Sequence, residues 1–254
     1  MTDNILLLGG SGNLGSKIIN SKIFINLKSP TKNKLNILNI KKIENYLLKN
    51  NIDLIIHCAA LARVRECELN KEKAIKINIT GTLNIIKSVF RVKKIKKKDI
   101  KLIFISSDAV YSADKGNNKE NDKLSPYNFY GLTKLKGEKI VQKLSKFIII
   151  RTRFFDKNEI YFKFSAKNIY TSGIEANILV KYISKLIKKK FQGIINVGGK
   201  RISDFNKYKK YKKNLKPCDK SQILNDLNFK IATDSSLNIS KLKKLLWILF
   251  HLKF

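Results

Sequence analysis

The chain of 254 residues is 43% hydrophobic and carries a formal net charge of +34, a size that suits one substantial core with at most a small appendage. No apolar run is long enough to cross a bilayer, and the first residues lack the basic and apolar leader of a secretory signal. The three cysteines form neither a disulfide framework nor a metal-ligand spacing, so we expect no metal site and a cytoplasmic location.

The positive charge comes almost entirely from lysine. Six residues are arginine and 47 are lysine, and asparagine and isoleucine are abundant as well. Nucleic-acid sites favour arginine and concentrate charge on one element, whereas lysine is spread along this whole chain. We therefore attribute the lysine content to a general bias in amino-acid composition rather than to a nucleic-acid role. We expect neither a nucleic-acid partner nor insertion into a membrane.

Short apolar segments alternate with helix-like segments along the first 150 residues. The apolar segments lack polar alternation, which is typical of a parallel sheet covered on both faces. The predicted strands are residues 4–8, 23–27, 53–57, 101–105 and 147–150. The predicted helices are one that begins near Leu14 and those over residues 40–49, 72–89 and 127–144. This order predicts an α/β fold, a doubly wound, Rossmann-type parallel sheet.

A glycine cluster follows the first predicted strand directly. Gly9, Gly12 and Gly15 recur at every third position; glycines so placed allow a tight turn, close approach of a pyrophosphate and packing of helix on strand. The helix start adds free N–H groups and a positive dipole end, so the cluster indicates a dinucleotide site. Residues 24–30 hold no carboxylate for a ribose 2′-hydroxyl, which favours NADP (NADPH) and leaves NAD open.

Beyond residue 151 the pattern weakens. Helices over 174–188 and 237–250 and a strand over 193–197 are predicted, while residues 200–236 are polar and irregular. We therefore expect an NAD(P)-binding domain over residues 1–155 and a small C-terminal, substrate-binding region over residues 156–254 that interleaves with the sheet.

Three tyrosines, Tyr111, Tyr130 and Tyr208, stand four residues before a lysine. Spacing alone singles out none of them, because lysine is so frequent. Tyr130 and Lys134 differ in position, since they lie at a predicted helix start and downstream of the strand-end serine Ser107. A phenol and an ammonium one helical turn apart, with a serine hydroxyl, suit proton donation to a ketone during hydride transfer. The ordinary alternative is a half-buried helix residue beside a solvated lysine.

The stretch SPYNFYGLTKLKGEKIV is similar, almost position for position, to a block written P.N.YG.TK..GE, FISSDAVY to STDYVF, and IIIRTRFF to lRtswvy. These motifs resemble the extended short-chain dehydrogenase/reductase superfamily, and within it the sugar-nucleotide reductase branch typified by dTDP-4-dehydrorhamnose reductases. The resemblance implies that Ser107, Tyr130 and Lys134 are catalytic. The cofactor-binding residues that it and the glycine cluster imply are Gly9, Gly12, Asn13, Leu14, Gly15, Asn36, Ile37, Ala59, Ala60, Asn78, Tyr130 and Lys134.

What the resemblance implies is NADP-dependent reduction of a nucleotide-linked keto-deoxy sugar in polysaccharide biosynthesis, with Tyr130 as proton donor. A non-catalytic NAD(P)-binding regulatory or scaffold subunit is one alternative, favoured by a short region at residues 154–172. A nucleotide-sugar epimerase or dehydratase is another, although a dehydratase would need an acidic pair beside Ser107. The acidic residues that the branch can use for a metal-bridged dimer have no clear match, and a homodimer is left open. Arg63, Arg65 and Arg151 could approach a diphosphate or hold loop and surface roles.

Overall fold

The computed structural model describes residues 3–224 and 229–251, without the side chains of residues 224 and 247–251. Its centre is a six-stranded sheet with the order β10-β5-β4-β3-β1-β2, in which each neighbouring pair is parallel. The strands of this sheet are β1 (Ile5–Leu8), β2 (Leu27–Lys28), β3 (Leu54–His57), β4 (Lys101–Ile105), β5 (Phe147–Thr152) and β10 (Gly193–Val197). The predicted α/β, doubly wound fold is confirmed.

Helices cover both faces of the sheet. Those of the first half of the chain are α1 (Asn13–Asn20), α2 (Ile40–Lys49), α3 (Val64–Leu69), α4 (Lys71–Ala74), α5 (Gly81–Lys96) and α6 (Phe129–Val141). Those of the second half are α7 (Ala176–Lys188), α8 (Asp204–Lys209), α9 (Lys220–Leu224) and α10 (Ser240–His251). Successive strand residues point to opposite faces, so each strand is buried on both sides and needs no polar alternation.

The core consists of two apolar layers separated by the sheet. Ile5 and Leu7 of β1 pack in the layer with α1, α7 and α10, whereas Leu6 and Leu8 pack with α2, α5 and α6. Burial of these side chains, at about 25 cal/mol per Å² of apolar surface, is the main favourable contribution to folding. The carboxyl ends of the parallel strands lie together at one edge of this rigid sheet, which is where ligands bind in folds of this kind.

Three two-stranded sheets lie outside the main one. Their strands are β6 (Phe154–Phe155), β7 (Phe164–Ala166), β8 (Tyr170–Thr171), β9 (Ile174–Glu175), β11 (Ile202–Ser203) and β12 (Lys216–Cys218). They pair as β6 with β9, β7 with β12, and β8 with β11. Strand β10 belongs to the main sheet, whereas the other strands after residue 155 belong to the small sheets. The chain after residue 155 therefore contributes to both kinds of sheet. The division at residue 155 stays a prediction.

Several boundaries differ from the sequence prediction. The second strand is Leu27–Lys28 rather than 23–27. Phe24 enters the core from irregular backbone, and its neighbour Ile25, which begins a turn, is 81% exposed. The helix predicted over 72–89 includes a π-helical segment, Ile75–Thr80, and runs on until Lys97 adopts a left-handed backbone with φ 53°. Short elements within residues 200–236 (β11, α8, β12 and α9), together with α3, were missed. Among the helices described, none combines the length and apolar character that a membrane span requires.

Candidate active site

The glycine turn between β1 and α1 is as tight as its spacing predicts. Gly9 has φ +91°, and a Cβ placed there would lie 2.5 Å from the backbone nitrogen of Ala59. A Cβ on Gly15 would lie 2.1 Å from the carbonyl oxygen of Gly9. Helix α1 begins after Gly12 with no side-chain cap, so its first N–H groups are free to bind an anion. The turn therefore fits a dinucleotide pyrophosphate.

Next to this turn lies a cleft of about 400 Å³ at the carboxyl ends of the strands. It brings together all three predicted catalytic residues with six further predicted cofactor residues. The predicted site residues that line it are Gly9, Gly12, Asn13, Leu14, Gly15, Ala60, Ser107, Tyr130 and Lys134. Buried oxygens without a hydrogen-bond partner in the structure include Asn13 Oδ1 and Thr152 Oγ1, and both residues line this cleft.

Helix α6 carries Tyr130 and Lys134 on the face that meets the cleft. Asn128 caps the helix by accepting a hydrogen bond from the Gly131 N–H at 2.8 Å, which fixes where the helix begins. A Cβ on Gly131 would lie 2.2 Å from the carbonyl oxygen of Ala109. This glycine therefore lets the helix approach the segment that follows β4, where Ser107 lies.

The Tyr130 phenol is protonated in this environment. Burial raises its pKa well above the usual value, and the Asp108 carboxylate raises it further, while a hydrogen bond with Ser107 opposes both. The Ser107 hydroxyl also donates to Asp108 Oδ1 at 3.0 Å and accepts from the Ala109 N–H at 3.1 Å. The phenol and the hydroxyl are thus adjacent. The phenol carries the proton that a donor needs, and the Ser107 hydrogen is held by Asp108 Oδ1 until a ligand oxygen replaces that acceptor.

The Lys134 ammonium is 97% buried with no acceptor side chain in contact. It lies 4.0 Å from the centre of the Phe104 ring, and the described part of the chain gives it no hydrogen bond. Burial lowers the pKa of Lys134 to about 8, against the opposing effect of Glu138 one helical turn further on. A buried cation with free N–H groups beside a phosphate-binding turn is available to a ligand oxygen.

A buried ion pair holds α6 against the sheet. The Glu138 carboxylate accepts hydrogen bonds from Arg151 Nη2 at 2.7 Å and from Ser106 Oγ at 2.5 Å, and both charged side chains are almost fully buried. Arg151 Nη1 donates to the Tyr111 hydroxyl at 2.8 Å. Arg151 is therefore an internal partner of Glu138, and the alternative that it reaches a diphosphate is wrong.

Four predicted cofactor residues, Asn36, Ile37, Ala59 and Asn78, are not among those lining the cleft. Asn78 is buried and joins Leu61 to α6, accepting from the Leu61 N–H at 2.7 Å and donating to Thr133 at 2.9 Å. Asn36 accepts from the backbone of residue 38, and Ile37 packs beneath Gly81. Their cofactor roles stay predictions.

Three cleft residues were missed as site residues in the sequence: Asp108, Tyr127 and Arg153. The Arg153 guanidinium contacts Asp108 at 2.9 Å and makes a hydrogen bond with Tyr127. Asp108 also accepts from Ser235 at 2.7 Å, a contact between residues 127 positions apart. The periodicity of a sequence cannot predict a contact between residues so far apart. The features of the sequence that could have indicated this cluster are the arginine that follows β5 and the aspartate that follows Ser107.

The two other Tyr/Lys pairs have structural roles. Tyr111 is fully buried and donates to Asn196 at 2.9 Å, while Lys115 pairs with Asp122 on the surface. Tyr208 packs edge to face on aromatic neighbours, and Lys212 donates to backbone carbonyls.

Among the residues described, no group of three or more His, Cys, Asp or Glu side chains could hold a metal ion.

Comparison with known proteins identifies a family match over more than half of the chain. The family model of the RmlD substrate binding domain matches residues 3–168. A dTDP-4-dehydrorhamnose reductase of Mycolicibacterium smegmatis is 39% identical over 93 residues, 36% of this chain and 27% of its own length. Methionine adenosyltransferase 2 subunit beta of Bos taurus is 30% identical over 112 residues, 44% of this chain and 32% of its own length. The chain thus aligns with about a third or less of these relatives.

Solved structures agree over nearly the whole chain. The dTDP-4-dehydrorhamnose reductase of Bacillus anthracis, in complex with NADP, superposes with a TM-score of 0.83 and covers 96% of this chain and 93% of its own. At 23% identity this similarity establishes the shared fold.

Proposed function

The chain belongs to the family of the RmlD substrate binding domain, and from this membership we propose that it reduces a nucleotide-linked keto-deoxy sugar with NADPH, as dTDP-4-dehydrorhamnose reductases do. The observation that carries the proposal is the cleft in which the glycine turn, Ser107, Tyr130 and Lys134 face one space. Hydride transfer needs these components together: a phosphate-binding turn, a proton donor and a hydrogen bond to the carbonyl oxygen.

The cofactor would be held first by the glycine turn and the start of α1, where the free N–H groups meet its pyrophosphate. Ala60 lines the same side of the cleft, and Asn36, Ile37, Ala59 and Asn78 would shape the adenosine end and support the turn. NADPH is favoured over NADH because residues 24–30 hold no carboxylate for a 2′-hydroxyl. When bound, the cofactor would supply the hydride.

The protein's own residues would complete the reduction. The Ser107 hydroxyl would turn its one hydrogen from Asp108 Oδ1 to the keto oxygen when the substrate binds. Tyr130 Oη gives its proton to that oxygen as negative charge develops there. Reduction of the ketone thus consumes one hydride and one proton and yields the secondary alcohol. The raised pKa of Tyr130 keeps the phenol protonated before reaction. The phenolate left afterwards is stabilised by the nearby Lys134 ammonium.

Two alternatives have observations in their favour. A regulatory or scaffold subunit is favoured by the similarity to a methionine adenosyltransferase subunit. An epimerase or dehydratase would use the same fold. Against a dehydratase, Asp108 is the one carboxylate lining the cleft of the described chain, and Ser107, Ser235 and Arg153 already bind it.

A turnover assay tests the proposal against these alternatives. Purified protein with NADPH and a panel of nucleotide-linked 4-keto sugars should show loss of NADPH absorbance with at least one sugar. Binding of NADPH without turnover of any sugar would support the regulatory subunit. Conversion of a sugar without net oxidation of NADPH would support an epimerase or dehydratase.

A further inference from the structure

The cleft contains a cation that the proposed reduction does not use. Arg153 follows β5, lines the cleft with Ser107, Tyr127 and Tyr130, and its side chain is 33% exposed. The reacting ketone is neutral and the proton comes from Tyr130. Arg153 acts on that phenol through its charge, which opposes the rise of the Tyr130 pKa, but its N–H groups take no part in the reduction. Arg153 therefore has no assigned partner on the substrate.

The Arg153 side chain is held in one orientation. Its Nε contacts Asp108 Oδ2 at 2.9 Å, and its stem packs near Gly173, where a Cβ would lie 3.6 Å from Arg153 Cγ. Asp108 in turn accepts from Ser107 at 3.0 Å. One carboxylate thus links the guanidinium to the serine that would bind the keto oxygen, which places the cation near the reacting carbon.

The guanidinium keeps its charge and has free N–H groups. Burial alone would lower the pKa of Arg153, but Asp108 and Tyr127 outweigh it and the pKa is raised. Asp204 is the next carboxylate nearby, and it already contacts Lys207 at 2.6 Å. In the described chain, Asp108 and Tyr127 are the two hydrogen-bond partners of the Arg153 side chain, so much of the fork formed by its two Nη groups is available to a ligand.

We propose that Arg153 determines substrate specificity by binding a carboxylate on the sugar ring that also carries the keto group. The inference rests on the proposed reduction of a nucleotide-linked keto sugar, but it replaces the deoxy sugar named there by one that bears a carboxylate, such as a uronic acid. A planar guanidinium matches the two oxygens of a carboxylate through paired N–H donors, and such charge-assisted bonds are stronger than neutral ones. A neutral methyl or hydroxymethyl group would leave the remaining N–H donors of Arg153 without a partner in a partly buried site.

The test compares sugars that differ only in this group. Calorimetry would measure binding of UDP-glucose, UDP-glucuronic acid and the corresponding dTDP pair to the NADP⁺-loaded protein. We expect the uronic acid of one pair to bind at least about ten-fold more tightly, equivalent to about 1.4 kcal/mol. Arg153→Met should remove this preference and Arg153→Lys should keep part of it. Arg91→Met removes an exposed arginine on α5 and should leave it unchanged.

Each other outcome has a defined meaning. Equal binding of the two sugars by the unmodified protein would overturn the inference and leave the proposed function standing. An equal loss of affinity for both sugars in Arg153→Met would assign Arg153 to the diphosphate and would also overturn it. A preference that Arg91→Met reduces as much as Arg153→Met would reflect the net positive charge and contradict a specific site. Failure of the unmodified protein to bind any of the four would overturn the inference, while the turnover assay with 4-keto sugars decides the proposed function separately.

Discussion

Replacing Arg151 by methionine tests the ion pair on which the position of α6 depends. The change keeps most of the side-chain volume but leaves the Glu138 carboxylate, 0% exposed, without its cation. Three contacts of 2.7–3.2 Å between the two side chains are lost, as is the donor to Tyr111. Removing one partner of a buried pair costs about 3–5 kcal/mol. For a chain of this size that corresponds to a fall in Tm of roughly 6–20 °C.

Urea unfolding, followed by circular dichroism, measures this change in the free energy of unfolding. Lys73→Met breaks an exposed pair with Glu66 and serves as the matched control, with an expected change of at most about 1 kcal/mol. The double variant Glu138→Leu/Arg151→Met removes both charges and should recover much of the loss. A destabilisation by Arg151→Met no larger than that of Lys73→Met would refute the reasoning, because the pair would then be solvated or unimportant.

Three further predictions concern the cleft. Gly15→Ala should reduce the affinity for NADPH more than ten-fold, because the alanine Cβ would lie 2.1 Å from the Gly9 carbonyl oxygen. Fluorescence titrations measure this affinity, and a value within two-fold of the original would contradict the tight turn. Since the pKa of Lys134 is about 8, the ammonium is present below that pH and lost above it, so kcat/KM should fall as pH rises through about 8. Lys134→Arg should remove this fall of kcat/KM above pH 8. If the fall persists in the variant, it belongs to another titrating group. Cys67 is buried, and burial raises its pKa to about 11, so it should resist alkylation by iodoacetamide at pH 8 in the native protein. Rapid labelling of Cys67 detected by mass spectrometry would contradict its burial.

The sequence predicted the elements whose periodicity reflects burial on the sheet. Helix α2 and strands β4 and β10 have the predicted bounds, because their apolar spacing reports directly which side chains enter the core. The predicted position of strand β2 was wrong, because Phe24 lies in irregular backbone but is buried as a strand residue would be. The left-handed Lys97 marks a helix end that composition does not reveal.

The candidate site was partly predictable for a related reason. Tyr130 and Lys134 lie on one helix, so their spacing and the helix start identify them locally. Arg151 and Arg153 stand two positions apart, yet one is paired inside the core and the other lines the cleft. The contact partners that separate them come from distant segments, which only the folded topology brings together. The same holds for Ser235, which reaches Asp108 from the far end of the chain.

Replacing Tyr130 by phenylalanine tests the central claim most directly, since it removes one hydroxyl from the cleft. The rate of NADPH oxidation with an accepted nucleotide-linked keto sugar should fall by about 10²–10⁴-fold, the usual contribution of a positioned proton donor, while NADPH affinity stays within a few-fold. Tyr161→Phe, which alters a tyrosine that is 80% exposed, should leave both unchanged. A Tyr130→Phe variant that turns over the sugar at the original rate would contradict Tyr130 as the proton donor and the catalytic account built on it.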